Sequence, residues 1–122
     1  MVKKNTFLVN RIKSIGYAFK GAYLLITTEA SLKVQFGIGV LMTIAGFYFN
    51  LSATEWMIQI LTIAIIMALE GVNTAIEEIA DFIHPEYHKK IGLIKDFAAG
   101  AVFIFSIAAI IVGFIIYYPK VF

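Results

Sequence analysis

The 122-residue sequence contains no cysteine and only 2 prolines. Without cysteine there is no disulfide scaffold, no thiolate nucleophile and no cysteine-ligated metal, and nothing reports on the redox compartment. Charge is scarce as well, since Asp, Glu, Lys and Arg together make up 15% of the chain. That is too few solvated groups to coat a small sphere with its high surface-to-volume ratio. There is no internal repeat, low-complexity tract or linker, and no phosphate loop: Gly37-x-Gly39 falls inside an apolar run, and nothing reads Gly-Lys-Ser/Thr. These absences exclude intrinsic disorder, a secreted cysteine scaffold and an ordinary cytosolic enzyme. What is present is apolar. Hydrophobic residues make up 61% of the chain before its 9 glycines are added, against roughly 45–50% with glycine included in soluble domains. The composition implies one membrane-embedded domain, residues 1–122.

Three stretches are long enough to cross a bilayer as helices, for which ~20 residues are needed. Val34 to Thr54 carries no formal charge, and its strongly apolar part, 34–51, forms the first expected span. The second covers 55–76 and includes Glu70. The third covers 97–118 and is expected to stop at Pro119, which cannot continue a helix. Nine of the ten basic residues (Lys3, Lys4, Arg11, Lys13, Lys20, Lys33, Lys89, Lys90 and Lys95) lie before the first span or between the second and third, leaving only Lys120 elsewhere. Basic residues in short loops favour the cytoplasmic side, so the N-terminus is expected inside and the C-terminus outside. An aromatic belt of Phe47, Tyr48, Phe49, Trp56, Tyr117 and Tyr118 is expected beside the link Asn50 to Thr54. After Lys3-Lys4 the apolar run is only Phe7-Leu8-Val9, so no cleavable leader is expected. Within 1–33, Leu8, Ile12, Ile15, Phe19, Ala22, Tyr23 and Ile26 recur at helical spacing, which predicts an amphipathic helix on the cytoplasmic leaflet or packed on protein in an oligomer.

Ionisable groups within a membrane helix cost roughly 2.5–3.5 kcal/mol each on insertion scales, so each one is a functional hypothesis. Glu70, Asn73, Glu77 and Asp81 follow at spacings of three, four and four and share one helix face, while Glu78 is turned about 100° from Glu77. The alternative is a helix simply leaving the bilayer, its acids solvated and Asn73 bonded to a neighbouring helix. Glu29, between Tyr23-Leu24-Leu25-Ile26 and the first span, is a second candidate, either as an interfacial acid or as a partner in holding a divalent cation. Mg²⁺ is usually bound by one or two carboxylates, with phosphate and water completing its octahedron. His84-x-x-x-His88 is not read as a metal pair, because Pro85 breaks the helix that would align the rings and no third ligand follows. Lys95-Asp96 reads from the residues alone as a snorkelling lysine and a helix cap. Ala98-Ala99-Gly100-Ala101 reads as a close-packing segment.

The run from Glu70 through Asn73-Thr-Ala-Ile-Glu77 to Asp81 resembles the E-x-x-N-[ST]-A-[IVL]-E-x-x-x-D signature of the prokaryotic diacylglycerol kinases and the related undecaprenol kinases. Lys95-Asp96-Phe97-Ala98-Ala99-Gly100-Ala101-Val102 is similar to that family's second block, and the likeness extends to Arg11, Gly16-Tyr17, Lys20-Gly21 and Thr28-Glu29-Ala30. The resemblance implies an all-α, homotrimeric kinase of the bacterial cytoplasmic membrane. Such an enzyme would transfer the γ-phosphoryl of ATP, with Mg²⁺, to a lipid alcohol, giving phosphatidate or undecaprenyl phosphate. It further implies Glu70 as catalytic base, Asn73 as a positioning group, and Glu29 and Glu77 as holders of metal and nucleotide phosphates. Lys95 and Asp96 would bind ATP together with Arg11, Tyr17, Glu86, Tyr87 and His88. The Ala99-Gly100 pair looks more like the undecaprenol branch. The partners so implied are the lipid alcohol, ATP and the bilayer, with no nucleic acid. A rival from another class is an oligomeric membrane protein with a proton or cation pathway lined by Glu70, Asn73 and Glu77. A third reading is a membrane-anchoring interaction subunit.

Overall fold

The computed structural model describes residues 6–122, which form four helices and, among the described residues, no strand. Lys3 and Lys4 lie outside the described residues. Helix α1 runs Phe7–Thr28, α2 Ala30–Tyr48, α3 Ala53–Ile83 and α4 Lys89–Val121. The last three are long and apolar enough to cross a membrane. At 1.5 Å per residue α3 extends about 46 Å and α4 about 50 Å. Both exceed the ~30 Å hydrocarbon core, so each is long enough to extend past the apolar layer.

Boundaries depart from the sequence expectations at three places. The surface helix does not reach residue 33, because Glu29 adopts an extended conformation (φ −94°, ψ 124°) and serves both as the end of α1 and as the cap of α2. The chain turns an elbow at that carboxylate. Pro119 does not end the last helix, which continues to Val121. Proline removes one donor from the ladder, and in a final turn that loss is small because Phe122 N–H still reaches Tyr118 O at 2.9 Å. Asp96 is not a cap: α4 starts seven residues earlier, where the His88 ring accepts from Lys90 N–H at 3.1 Å. Pro85 acts as expected, with α3 ending at Ile83.

The outer turn shows why α2 and α3 form a hairpin. Asn50 takes a left-handed φ of 53°, which asparagine tolerates better than most residues. Leu51 N–H then reaches Gly46 O at 3.1 Å and Asn50 N–H reaches Phe47 O at 3.4 Å, the paired bonds of a Schellman cap. Leu51 is buried beneath it. Ser52 and Glu55 form a reciprocal capping box at the head of α3, satisfying two donors that the first turn leaves free. Glu55 also meets Lys120 at 3.1 Å, tying α4 to the same outer end.

Near the α2–α3 turn the three spans are joined by polar side chains. Gln59, 5% exposed, donates from Nε2 to Met42 O at 2.9 Å and accepts from the Tyr117 hydroxyl. Tyr117 therefore points inward and is not a belt residue, whereas Phe47, Tyr48 and Tyr118 are exposed as expected of one. Backbones approach closely where side chains are smallest: a Cβ on Gly46 would lie 2.6 Å from the Trp56 ring. Gly46→Ala should accordingly lower the melting temperature in detergent, with a destabilisation of about 1–3 kcal/mol, typical of overpacking; an unchanged melting temperature would show that the ring yields freely.

Candidate functional site

Depth along α3 sorts the polar stripe. Counting 1.5 Å per residue from Ala53, Glu70 lies about 26 Å down the helix, Asn73 about 30 Å, Glu77 about 36 Å and Asp81 about 42 Å. A ~30 Å length measured from the start of α3 takes in Glu70, ends at Asn73 and leaves the other two beyond it. Burial follows the same gradient, since Glu70 and Asn73 are half-buried and Glu77 and Asp81 exposed.

Helix register sets Glu29 at the level of this stripe. Gly39 packs on Ile63 and Gly46 on Trp56, while Gln59 bonds Met42. Continued at the same step, this antiparallel register brings the α1–α2 elbow level with Glu70 and Asn73. Leu25, one turn before the elbow, confirms the approach: a Cβ on Gly71 would meet its Cδ1 at 3.0 Å. A side chain at Gly71 would press on the end of the Leu25 side chain, so α1 comes near the turn that carries Glu70 at this point. Glu29 itself is half-buried.

Asn73 does not reach a neighbouring helix. Its Nδ2 donates to Glu77 Oε1 at 2.8 Å, which fixes that carboxylate, and its own Oδ1 is buried without a partner. A buried, unpaired carbonyl oxygen is costly, which sets Asn73 Oδ1 apart as an acceptor left without a partner beside that carboxylate.

From α4, Lys95 Nζ contacts Asp81 Oδ1, and Glu77 also lies within electrostatic reach of the ammonium. One chain therefore brings the α3 stripe and Lys95 together across the turn at 84–88. Asp96 is exposed in the next position. Glu86, Tyr87 and His88 occupy the turn and are exposed; His84 Nδ1 bonds Glu86 O at 2.7 Å, and the Tyr87 ring lies over Gly92. Arg11 and Tyr17 stand exposed on α1, the Arg11 guanidinium 5.5 Å over the Phe7 ring. Among the described residues neither makes a hydrogen bond or ion pair to the α3 stripe.

Among the described residues no three His, Asp or Glu side chains cluster as a metal cage. Mg²⁺ does not need such a cage, since it takes one or two carboxylates plus substrate phosphate and water. Glu29, which helix register sets near the level of Asn73, and Glu77 are the carboxylates on which such a site would draw. A continuous polar file toward the outer surface is missing among the described residues: Thr43, Thr62 and Ser106 bond back to carbonyls of their own helices, and Gln59 is engaged with Met42 and Tyr117. Along the three spans, from Tyr117 and Gln59 to Ile66, lies instead a largely apolar groove of about 380 Å³, lined among others by Gly39, Ile63 and Ile110. The sequence stripe included Asp81 but gave it no role; its partner lies 14 residues away across a proline turn, beyond the reach of helical spacing.

Comparison with known proteins bears on this arrangement. Residues 16–117 match the family model described as prokaryotic diacylglycerol kinase. An undecaprenol kinase of Bacillus subtilis is 37% identical over 108 residues, covering 88% of each chain. A diacylglycerol kinase of Escherichia coli is 32% identical over 112 residues, covering 91% of each. One from Haemophilus influenzae is 28% identical over 116 residues, covering 94% of this chain and 98% of its own.

Proposed function

The chain belongs to the prokaryotic diacylglycerol kinase family, and from that premise we propose that it is a membrane lipid kinase that moves the γ-phosphoryl of Mg-ATP onto the hydroxyl of a lipid alcohol at the cytoplasmic surface. The observation that carries the reading is the graded stripe on α3, with one carboxylate inside the apolar edge and Glu77, Asp81 and Lys95 beyond it. A lipid hydroxyl and a water-borne nucleotide can meet only at that boundary. Phosphoryl transfer needs positioning and charge neutralisation more than covalent chemistry.

In this reading Glu70 accepts the proton of the lipid hydroxyl as its oxygen attacks the γ-phosphorus, the bond to the β–γ bridging oxygen breaks and ADP leaves. The hydrocarbon of the lipid runs outward along the groove lined by Ile63, Ile66 and Ile110. Asn73 fixes the Glu77 carboxylate and offers Oδ1 to the reacting groups. Glu29 and Glu77 would hold Mg²⁺, which supplies charge neutralisation on the phosphates. Lys95 donates to phosphate oxygens, Asp96 stands beside it, and Glu86, Tyr87 and His88 with Arg11 and Tyr17 form the rest of the nucleotide site. The product is phosphatidate from diacylglycerol or undecaprenyl phosphate from undecaprenol.

A homotrimer with its N-termini inside and C-termini outside completes the proposal. It is supported by the thin three-span protomer, which leaves Val72, Ile79 and Phe82 exposed around the stripe, and by the cytoplasmic placement of the basic residues. Purified full-length protein given radiolabelled ATP and Mg²⁺ should transfer label to diacylglycerol or to undecaprenol when each is supplied separately. Transfer to neither, by protein that still binds the nucleotide, would refute the kinase reading.

A further inference from the structure

We propose that Asp81 is a positioning residue for the nucleotide: its carboxylate holds the Lys95 side chain, before any nucleotide arrives, where the ammonium will meet the phosphates. This rests on the kinase reading above and gives a role to a residue that the reading leaves idle.

The contact itself, Lys95 Nζ on Asp81 Oδ1, is the one ion pair at the cytoplasmic end among the described residues. As a staple for the turn it has little to contribute. The two side chains are 35% and 56% exposed, and pairs so open to water stabilise a fold only slightly. The turn has other supports: Pro85 halts α3, His84 bonds Glu86 O and His88 caps α4. As a positioning device the pair has more to offer. Lysine is a compact charge on a flexible four-carbon stem, and immobilising that stem opposes ligand binding. A partner that restrains it beforehand reduces that opposition. The ammonium has three donors, so one given to Asp81 leaves two for phosphate oxygens.

Placement supports the same role. Asp81 follows Glu77 by four residues and shares its helix face, so a tether to Asp81 draws Lys95 toward the carboxylate that would hold the cation and away from the lipid. Glu77 already acts on the ammonium electrostatically. Asp81 is thus bound to the reaction only through Lys95 and touches neither substrate.

The test measures the dissociation constant of the Mg²⁺ complex of a non-hydrolysable ATP analogue on the full chain in detergent, by calorimetry. Asp81→Asn should weaken binding roughly 3–10-fold, the range for losing preorganisation of one flexible side chain, with the melting temperature unchanged. Asp81→Glu, which keeps the charge, should recover most of the loss. In a Lys95→Ala background Asp81→Asn should have no further effect, because residues acting through one contact are not additive. Wild-type affinity in Asp81→Asn would overturn the proposal, as would an equal loss in the Lys95→Ala background. Because the readout is binding without turnover, it stands apart from the lipid assay: failure of the kinase reading appears there as a wild-type protein that transfers phosphate to no lipid.

Discussion

Glu70→Gln is expected to leave the protein folded and able to bind Mg-ATP while lowering lipid phosphorylation by a factor on the order of 10²–10⁴, the contribution of a positioned acid–base group. The amide has the shape of the carboxylate, so the packing of the neighbouring Gly71 against Leu25 is preserved and only proton acceptance is lost. Glu70 is singled out by depth. It is the stripe carboxylate about 26 Å from the start of α3, within the ~30 Å length of an apolar layer, whereas Glu77 is a further 10 Å or so along the helix. Phosphate transfer to lipid and binding of an ATP analogue, measured on the same preparation, separate the outcomes. A fully active variant would end the general-base assignment. A variant that no longer binds the nucleotide would move Glu70 to the metal.

How much of this was legible in the sequence follows from the range of the interactions involved. Bilayer crossing is dictated by length and hydropathy, so three spans could be read from apolar stretches, the second of them continuing across Glu70. The Glu70–Asp81 face is a matter of helical spacing and was equally readable. Elements failed where a tertiary or capping choice overrode local preference. The break at Glu29 has no proline or glycine to announce it; the residue takes an extended conformation between two helices that hydropathy alone would run together. The start of α4 at Lys89 depends on a His88 ring folding back on Lys90, which hydropathy does not register. Tyr117 looked like an interfacial aromatic, and only the proximity of Gln59 on another helix turns it inward. The same holds for Lys120, which the charge count set apart and which the structure pairs with Glu55. The site roles themselves were not readable from spacing; they came from a family likeness, and the geometry adds which groups one chain can bring together.

Glu77→Gln should alter metal dependence without altering shape. In the folded chain Asn73 Nδ2 donates to Glu77 Oε1 at 2.8 Å. A glutamine can present its own carbonyl oxygen to that donor, so the Asn73 contact survives and the helix face is undisturbed. What is lost is one negative charge at the level where Mg²⁺ and the phosphates would be held. A neutral amide cannot balance a divalent cation as a carboxylate does. The Lys95 ammonium, no longer attracted by Glu77, also relies on Asp81 alone. The expected result is a rise of at least about tenfold in the Mg²⁺ concentration needed for half-maximal activity, since even the outer partners of metal ligands are worth 10–100-fold. At saturating Mg²⁺ part of the activity should return, whereas Glu70→Gln should stay inactive at any Mg²⁺ concentration. That contrast divides the stripe into an inner carboxylate that handles the proton and an outer one that handles the cation. Titrating Mg²⁺ against initial rate in both variants decides it: an unshifted Mg²⁺ curve for Glu77→Gln would remove Glu77 from the metal site.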